Sequence, residues 1–343
     1  MKRSWVEISP ERLAANVRAV RRIIGEGTGI IAVVKANAYG HGGPKVASHL
    51  HGCGVTSFAV ATLEEALNIR EVISNAKILV LQGCDAGQER LFVNNRLTAS
   101  VFESGPVPDV EVELKVDSGM GRLGVSPAQA PTLLDELGNR VTGVFSHFAS
   151  SESDPEFTRT QLDAFLAVTK GVTCRRHIAN SGALCFRDAH LDAVRPGLAL
   201  YGISPCPGLF DVRPVLAWKV RVLSLRKMSA GETVGYGRTF TVPRPSLIAV
   251  LPIGYADGYC RAFSNNGQVR IRGVLAPVVG RVSMDLVSVD VTDVPDVADG
   301  DEVTLLEADP QSPISAVGLA NRIGTIPYEI LTSIGSRVER VYV

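Results

Sequence analysis

The chain is expected to fold as an α/β protein: a (β/α)8 TIM-type barrel followed by a mainly β C-terminal domain. Three observations carry that expectation. Apolar strand-like runs alternate with helix-like stretches to give eight strands between residues 29 and 194, the arithmetic of a closed parallel barrel; an open doubly wound sheet is the competing architecture. The alternation stops near residue 208, and the remainder reads as strands punctuated by Pro and Gly, with almost no helix before residue 315. Lastly, polar and charged residues stand where several of the eight strands end, and parallel α/β folds bind ligands outside the carboxyl ends of their strands.

The elements follow in order. A short strand at residues 5–8 precedes Ser9-Pro10-Glu11, an N-cap, a first-turn proline and an acid favoured by the helix dipole. Leu13, Val17, Val20 and Ile24 then recur at helical spacing. Barrel strands are expected at residues 29–34, 57–61, 78–81, 97–101, 110–116, 141–146, 173–178 and 193–194. The first of these is too continuously apolar and β-branched for a half-exposed strand and reads as buried on both faces. Helices are expected at residues 44–50 and 64–73, and two more should open at Ser126-Pro127 and Asp154-Pro155. Residues 205–208 and Pro214 mark the junction between a barrel domain at 9–212 and a β domain at 213–343. The second domain should hold strands at 217–225, 246–252, 269–273, 276–279, 286–291 and 302–306, and a helix at 315–323.

Bulk properties exclude several function classes. Lys plus Arg and Asp plus Glu are 35 each in 343 residues, so no overall charge draws the chain to nucleic acid or to an anionic membrane. No apolar run approaches the roughly 20 residues needed to cross a bilayer, and the first residues do not read as a signal peptide. Six cysteines, Cys53, Cys84, Cys174, Cys185, Cys206 and Cys260, are scattered without a C-x-x-C pair. They read as reduced thiols of a cytoplasmic protein, most of them buried. No metal site is expected.

The chemistry centres on Ile30-Ile-Ala-Val-Val-Lys-Ala-Asn-Ala-Tyr-Gly-His-Gly-Gly43, where Lys35 stands at the end of the first barrel strand and a glycine-rich loop follows. A lysine held by a dry strand loses its proton more readily than a solvated one. The loop is neither a Walker loop nor a GxGxxG fingerprint. Lys115, Asp117 and Arg122 follow the fifth strand, His147 the sixth, Asn180 and Ser181 the seventh, and Arg195 and Gly197 the eighth. Each residue alone has a plainer reading: Lys35 snorkelling from a sheet rim, His147 as a core histidine, Arg195 in a rim ion pair, Lys115 paired to Asp117 or Glu113, Arg122 capping a turn. Ser181 and Gly197 would offer backbone N–H groups to a phosphate. Together, a phosphate site, an imidazole and a lysine suit pyridoxal phosphate, whose aldehyde condenses with a lysine amine.

The string Val34-Lys-Ala-Asn-Ala-Tyr-Gly-His-Gly42 resembles the cofactor-lysine signature of the alanine racemase family. Further strings fall in the family's order: Leu114-Lys-Val-Asp-Ser-Gly-Met-Gly-Arg-Leu-Gly124, His147-Phe-Ala149, Ala179-Asn-Ser181, Arg195-Pro-Gly-Leu-Ala-Leu-Tyr-Gly202, Pro252-Ile-Gly-Tyr-Ala-Asp-Gly258, Gly280-Arg-Val-Ser-Met-Asp285 and Ile326-Pro-Tyr-Glu329. The resemblance covers essentially the whole chain. It implies a cofactor, pyridoxal 5'-phosphate, and a β domain joined by the strand at residues 1–8. It also implies a homodimer in which each β domain completes the partner's active site, and a cytoplasmic racemase supplying D-alanine for peptidoglycan. By this resemblance Lys35 is the Schiff-base lysine and the base for the D-isomer, and Tyr255 of the other subunit is the base for the L-isomer. Arg195 partners the pyridine nitrogen. Tyr39, His147, Asn180, Ser181, Gly197, Leu198 and Tyr328 hold the cofactor, Arg122 and Met284 hold the substrate carboxylate, and Lys115 matches a lysine often carried as a carbamate. Ser283 stands at a position that varies near the substrate. Gly235-Tyr-Gly-Arg238 is expected to be a hairpin turn, and Asp257 a turn former. Rival readings are a broad-specificity, serine or lysine racemase on the same scaffold, a non-catalytic pyridoxal-phosphate binder and a related decarboxylase. The β domain with Tyr255 argues against the second and Arg195 against the third.

Overall fold

In this computed structural model, which describes residues 3–105, 109–206, 208 and 211–343, eight parallel strands close on themselves. After β1 (Ser4–Ile8) the barrel runs through β2 (Gly29–Val33), β3 (Ser57–Val60), β4 (Lys77–Val80), β5 (Leu97–Val101), β6 (Val112–Lys115), β7 (Val141–Phe145), β8 (Arg175–His177) and β9 (Ala193–Val194). Pairing of Gly29 with Ala193 and of Ile30 with Val194 joins first strand to last, which excludes the open doubly wound sheet. All eight expected strands form. Their cores are buried on both faces, as in β3 and β5, because helices cover the outside of a parallel barrel.

Register decides what the barrel encloses. Residues paired in a parallel ladder point to the same face, and Glu113 pairs with Ser100 on one side and Gly143 on the other, while Gly143 pairs with Arg175. A carboxylate, a hydroxyl and a guanidinium thus share one interior level.

Among the helices, Pro10–Ile24 buries Leu13, Val17, Val20 and Ile24, and Thr62 caps Leu63–Val72 by accepting the Glu65 N–H. Asp154 caps Pro155–Val168, its carboxylate accepting the Phe157 N–H at 2.9 Å. The Ser126-Pro127 start is corrected: that helix is Ala130–Leu137, with Pro131 in its first turn. Ser126 instead closes a separate turn with Gln129, whose side chain accepts from both its amide and its hydroxyl.

The chain divides into two units, the barrel (Glu11–Ala38 and Gly42–Val212) and a second unit holding β1, Tyr39–His41 and Arg213–Val343. In the second unit β1 pairs antiparallel with Leu216–Arg221 and parallel with Glu339–Tyr342, inside a six-stranded sheet. A three-stranded sheet holds Ser224–Met228, Ser246–Leu251 and Val287–Asp290. The single strand expected at 217–225 is therefore two strands in two sheets. Ser315 caps Ala316–Ile323, accepting the Gly318 N–H at 3.0 Å, and a further helix, Pro327–Thr332, follows. Tyr236–Arg238 is the turn of a hairpin between Thr233–Val234 and Phe240–Thr241. The junction reading at residues 205–208 lies partly outside the described residues. The cysteines are also corrected: none lies in the core, five being partly exposed and Cys185 exposed, since they sit in loops and at helix ends rather than on strands. No described helix is long and apolar enough to cross a membrane.

Candidate active site

Lys35 follows β2 directly, and the turn after it is strained. Ala36, Asn37, Ala38 and Tyr39 all take left-handed backbone angles, with φ between 50° and 55°, a conformation costing about 1–2 kcal/mol for each L-residue. The barrel holds the turn in place: the Ala36 N–H donates to the Glu65 carboxylate at 2.6 Å, and Asn37 accepts the Gly43 N–H through its side chain at 2.7 Å and the Gly42 N–H through its carbonyl at 2.9 Å. Strain kept by so many contacts fixes where a side chain points. Burial and then the Arg122 guanidinium hold the Lys35 amine below its ordinary value, which favours the free base.

Lys115, at the end of β6, is brought to the same mouth. Burial first, then Arg122 and Arg195, bring its amine down to about 8, with Lys35 acting in the same direction. Neither expected carboxylate pairs with it. Asp117 accepts the N–H groups of Gly119, Met120 and Gly121, shaping the loop that carries Arg122, and Glu113 is engaged deeper in the barrel. Among the described residues no salt bridge reaches Lys35, Lys115, Arg122 or Arg195 from a carboxylate.

Arg195 is buried and not in a rim ion pair. Its Nη1 donates to His177 Nδ1 at 2.5 Å and to the His177 carbonyl at 3.1 Å. Its Nη2 donates to the Ser146 carbonyl at 2.5 Å, and to His147 Nδ1 and the Ile178 carbonyl at 3.2 Å each. Of its five N–H groups only Nε–H finds no acceptor among the described residues. Burial lowers Arg195 to about 10 against the opposing pull of Glu113, so it stays charged. His147 is held down to about 3 by burial and by the cations around it, Arg195 first. It is neutral, and because its Nδ1 accepts from Arg195 its proton is on Nε2.

Beside these groups lies a cradle. The Ser181 hydroxyl oxygen accepts the N–H groups of Gly197 at 3.0 Å and Ala199 at 3.1 Å, so the Gly197 amide is engaged by Ser181. The serine's own proton remains to donate, and the buried Leu198 N–H has no acceptor among the described residues. Asn180 shapes the turn, its side-chain oxygen accepting the Ala183 N–H at 2.9 Å and the Ser151 hydroxyl at 3.0 Å.

The remaining sequence-derived candidates belong to the second unit. Tyr39 is buried there with its ring 5.5 Å from that of Tyr328, and burial pushes its hydroxyl well above the ordinary tyrosine value. Tyr255 opens a short turn, its N–H donating to the Ser283 carbonyl and that of Ala256 to the Met284 carbonyl, 3.1 Å each. Gly254 lets the two segments meet, since a Cβ there would stand 2.2 Å from the Met284 oxygen. Tyr255 is 44% and Met284 53% exposed. Asp257 accepts the Gly254 N–H at 3.0 Å and pairs with Arg337 at 3.3 Å, the work of a turn former.

One group of residues escaped sequence reasoning. Glu113 is bonded to His177 Nε2 at 2.7 Å and to Arg175 at 2.8 Å inside the barrel. The partners lie 64 and 62 residues away; the only local signal was that Glu113, two before Lys115 in a strand, must share its face.

The chain matches the family model described as alanine racemase, N-terminal domain, over residues 8–205, and that of the alanine racemase C-terminal domain over 215–342. It is 40% identical to the alanine racemase of Geobacter sp. (strain M21), covering 98% of each chain. Its fold is similar to that of the biosynthetic alanine racemase from Pseudomonas aeruginosa, with a TM-score of 0.89 at 35% identity and all of each chain covered. It is likewise similar to alanine racemase from Bartonella henselae with covalently bound pyridoxal phosphate, with a TM-score of 0.90 at 32% identity and all of both chains covered.

Proposed function

This chain belongs to the alanine racemase family, and from that premise we propose that it interconverts L-alanine and D-alanine using pyridoxal 5'-phosphate held at the barrel mouth. The observation that carries the reading is the gathering of Lys35, Lys115, Arg122 and Arg195 with no carboxylate ion-paired to any of them among the described residues, beside a cradle of free donors. Such a mouth calls for an anionic ligand, because buried like charges without a counter-charge are costly.

The residues fit the cofactor. Ser181 and the Leu198 N–H would hold its phosphate, with Gly197 fixing Ser181; Asn180 and His147 shape its surroundings. Arg195 Nε–H would donate to the ring nitrogen. When bound, pyridoxal phosphate supplies a carbonyl that links to amines and a conjugated ring that draws electrons from the substrate Cα. A guanidinium only donates, so Arg195 leaves the ring nitrogen unprotonated and limits that pull, which suppresses side reactions such as transamination.

Lys35, its amine held below its ordinary value by burial and by Arg122, takes or returns the Cα proton on one face. Tyr255 from a second copy of the chain serves the other face, each group contributing about 10²–10⁴-fold. Support for a second copy is the exposed apolar edge formed by Tyr255, Met284 and Leu286 on one turn pair. A phenol with a reference pKa near 10 needs help as a base, and His147 has its Nε2–H left for that oxygen. Arg122 and, from the second copy, the Met284 N–H, which has no acceptor among the described residues of its own chain, would hold the substrate carboxylate. Lys115, brought down to about 8, carries a larger fraction of the free amine that takes up carbon dioxide than an ordinary lysine does, and the resulting carbamate would supply an anion beside Arg122. The similarity to a biosynthetic enzyme supports a role in supplying D-alanine for peptidoglycan.

The test is turnover of a panel of L-amino acids by the purified protein, read by chiral chromatography. Alanine should be turned over fastest, and preference for serine or lysine would overturn the assignment. Tyr255→Phe should slow solvent-deuterium exchange at Cα of L-alanine more than of D-alanine. Equal slowing would count against two bases.

A further inference from the structure

The polar column inside the barrel runs from β8 to the mouth without a break. At its lower end Arg175 faces a cavity of about 310 Å3 at the amino-terminal ends of the strands, lined also by Lys77, Arg96, Thr98 and Glu111. Arg175 donates to one oxygen of Glu113 at 2.8 Å and to the Ser57 hydroxyl at 3.3 Å. The other Glu113 oxygen is bonded to His177 Nε2 at 2.7 Å, and His177 Nδ1 to Arg195 at 2.5 Å. Phe145 stacks on the His177 ring, centroids 5.1 Å apart and 10° from parallel, and also lies under the Arg195 guanidinium at 5.2 Å.

Only one proton arrangement satisfies this column. Arg195 has no lone pair, so His177 Nδ1 must be the acceptor, its proton sits on Nε2, and the Glu113 oxygen facing it must be ionised. We propose that Arg175 and Glu113 are positioning residues for the reaction: by fixing His177 as the Nε2–H tautomer they hold the plane of Arg195, and so the direction of its free Nε–H. The proposal rests on reading Arg195 as the partner of the cofactor ring nitrogen.

Packing around Glu113 agrees. Ser100 faces it from β5 with a buried hydroxyl that has no partner among the described residues, Gly143 from β7, and Arg175 and His177 from β8; Lys115 lies two residues along its own strand. A Cβ at residue 143 would stand 2.9 Å from the Glu113 carboxyl carbon, so the carboxylate occupies the room that glycine leaves. Burial alone would push Glu113 up, but His177 and Arg175 hold it at about 2. Without Arg175 the carboxyl takes a proton more readily and, once protonated, donates to Nε2. That moves the His177 proton to Nδ1, where it opposes the Arg195 donor.

The experiment uses the protein as purified, labelled with 15N-histidine, together with Arg175→Gln, Arg175→Lys and Glu113→Gln. The wild type should show His177 as a neutral Nε2–H imidazole at pH 7, Arg175→Gln and Glu113→Gln should shift it toward Nδ1–H, and Arg175→Lys should restore it. In turnover, Arg175→Gln should lower kcat about tenfold in both directions with KM little changed, the order expected for loss of one hydrogen bond to a charged group, and raise the acid limb of the kcat profile. An unchanged His177 tautomer in both variants, whatever happens to activity or melting temperature, overturns the proposal. The tautomer does not depend on which amino acid is turned over, so this outcome is separate from failure of the racemase reading.

Discussion

Two levels of one barrel treat charge in opposite ways. Around Glu113 every charged group has a partner, Arg175 on one carboxylate oxygen and His177 on the other. At the mouth, Lys115 is held down by burial and then by Arg122, Arg195 and Lys35, and Lys35 by burial and then by Arg122, while among the described residues no carboxylate forms an ion pair with them. The closed level is a finished piece of structure, whereas the open level is arranged for something the chain itself does not supply. Unpaired positive charge at the carboxyl ends of barrel strands is a stronger pointer to an anionic ligand than any single residue there.

Acid should have the largest effect, through one imidazole at each level, His177 beside Glu113 and His147 at the mouth. His177 and His147 are held at about 4 and about 3, both below the ordinary histidine value of 6.5. As pH falls, the unfolded chain therefore takes up their protons before the folded chain does. Their contribution to stability is complete above about 6.5 and is lost as pH falls toward 4. Between pH 6 and 5 the unfolding constant should rise with the net uptake of between one and two protons, about fiftyfold over that pH unit. Glu113, held at about 2, adds its own loss only below about 4.5. Urea unfolding at a series of pH values checks this, and a flat profile between pH 6.5 and 4.5 would show that the imidazoles are not kept neutral by the fold.

The open level is sharpened by its one convertible residue. Lys115→Met should lower kcat/KM by about ten- to a hundredfold, the range for a lost hydrogen bond to a charged group. Carbon-13-labelled carbon dioxide should give a carbamate resonance in the wild type that the variant lacks. Absence of that resonance with activity intact would leave the mouth without its proposed internal anion.

The two levels were also unequally legible. Lys35, Lys115, His147 and Arg195 could be placed at strand ends because most of β2 to β9 are short, largely apolar runs separated by helix-like stretches, and even the two-residue β9 fell where it was expected. Glu113, His177 and Arg175 were not seen as a set, since a contact across more than 60 residues exists only once the barrel closes. The left-handed turn after Lys35 was hidden for a different reason: Ala, Asn and Tyr carry no local preference that would announce four such residues in a row. The split of residues 217–225 was hidden by continuous strand propensity, which says nothing about a change of sheet at residues 222–223.

Borohydride reduction of the protein as purified, followed by peptide mapping, tests most directly whether the open mouth exists to hold pyridoxal phosphate on Lys35. The reduced cofactor should be recovered on the single peptide containing Lys35. Recovery on Lys115 or on any other lysine, or no incorporation into protein that racemises alanine, would contradict it.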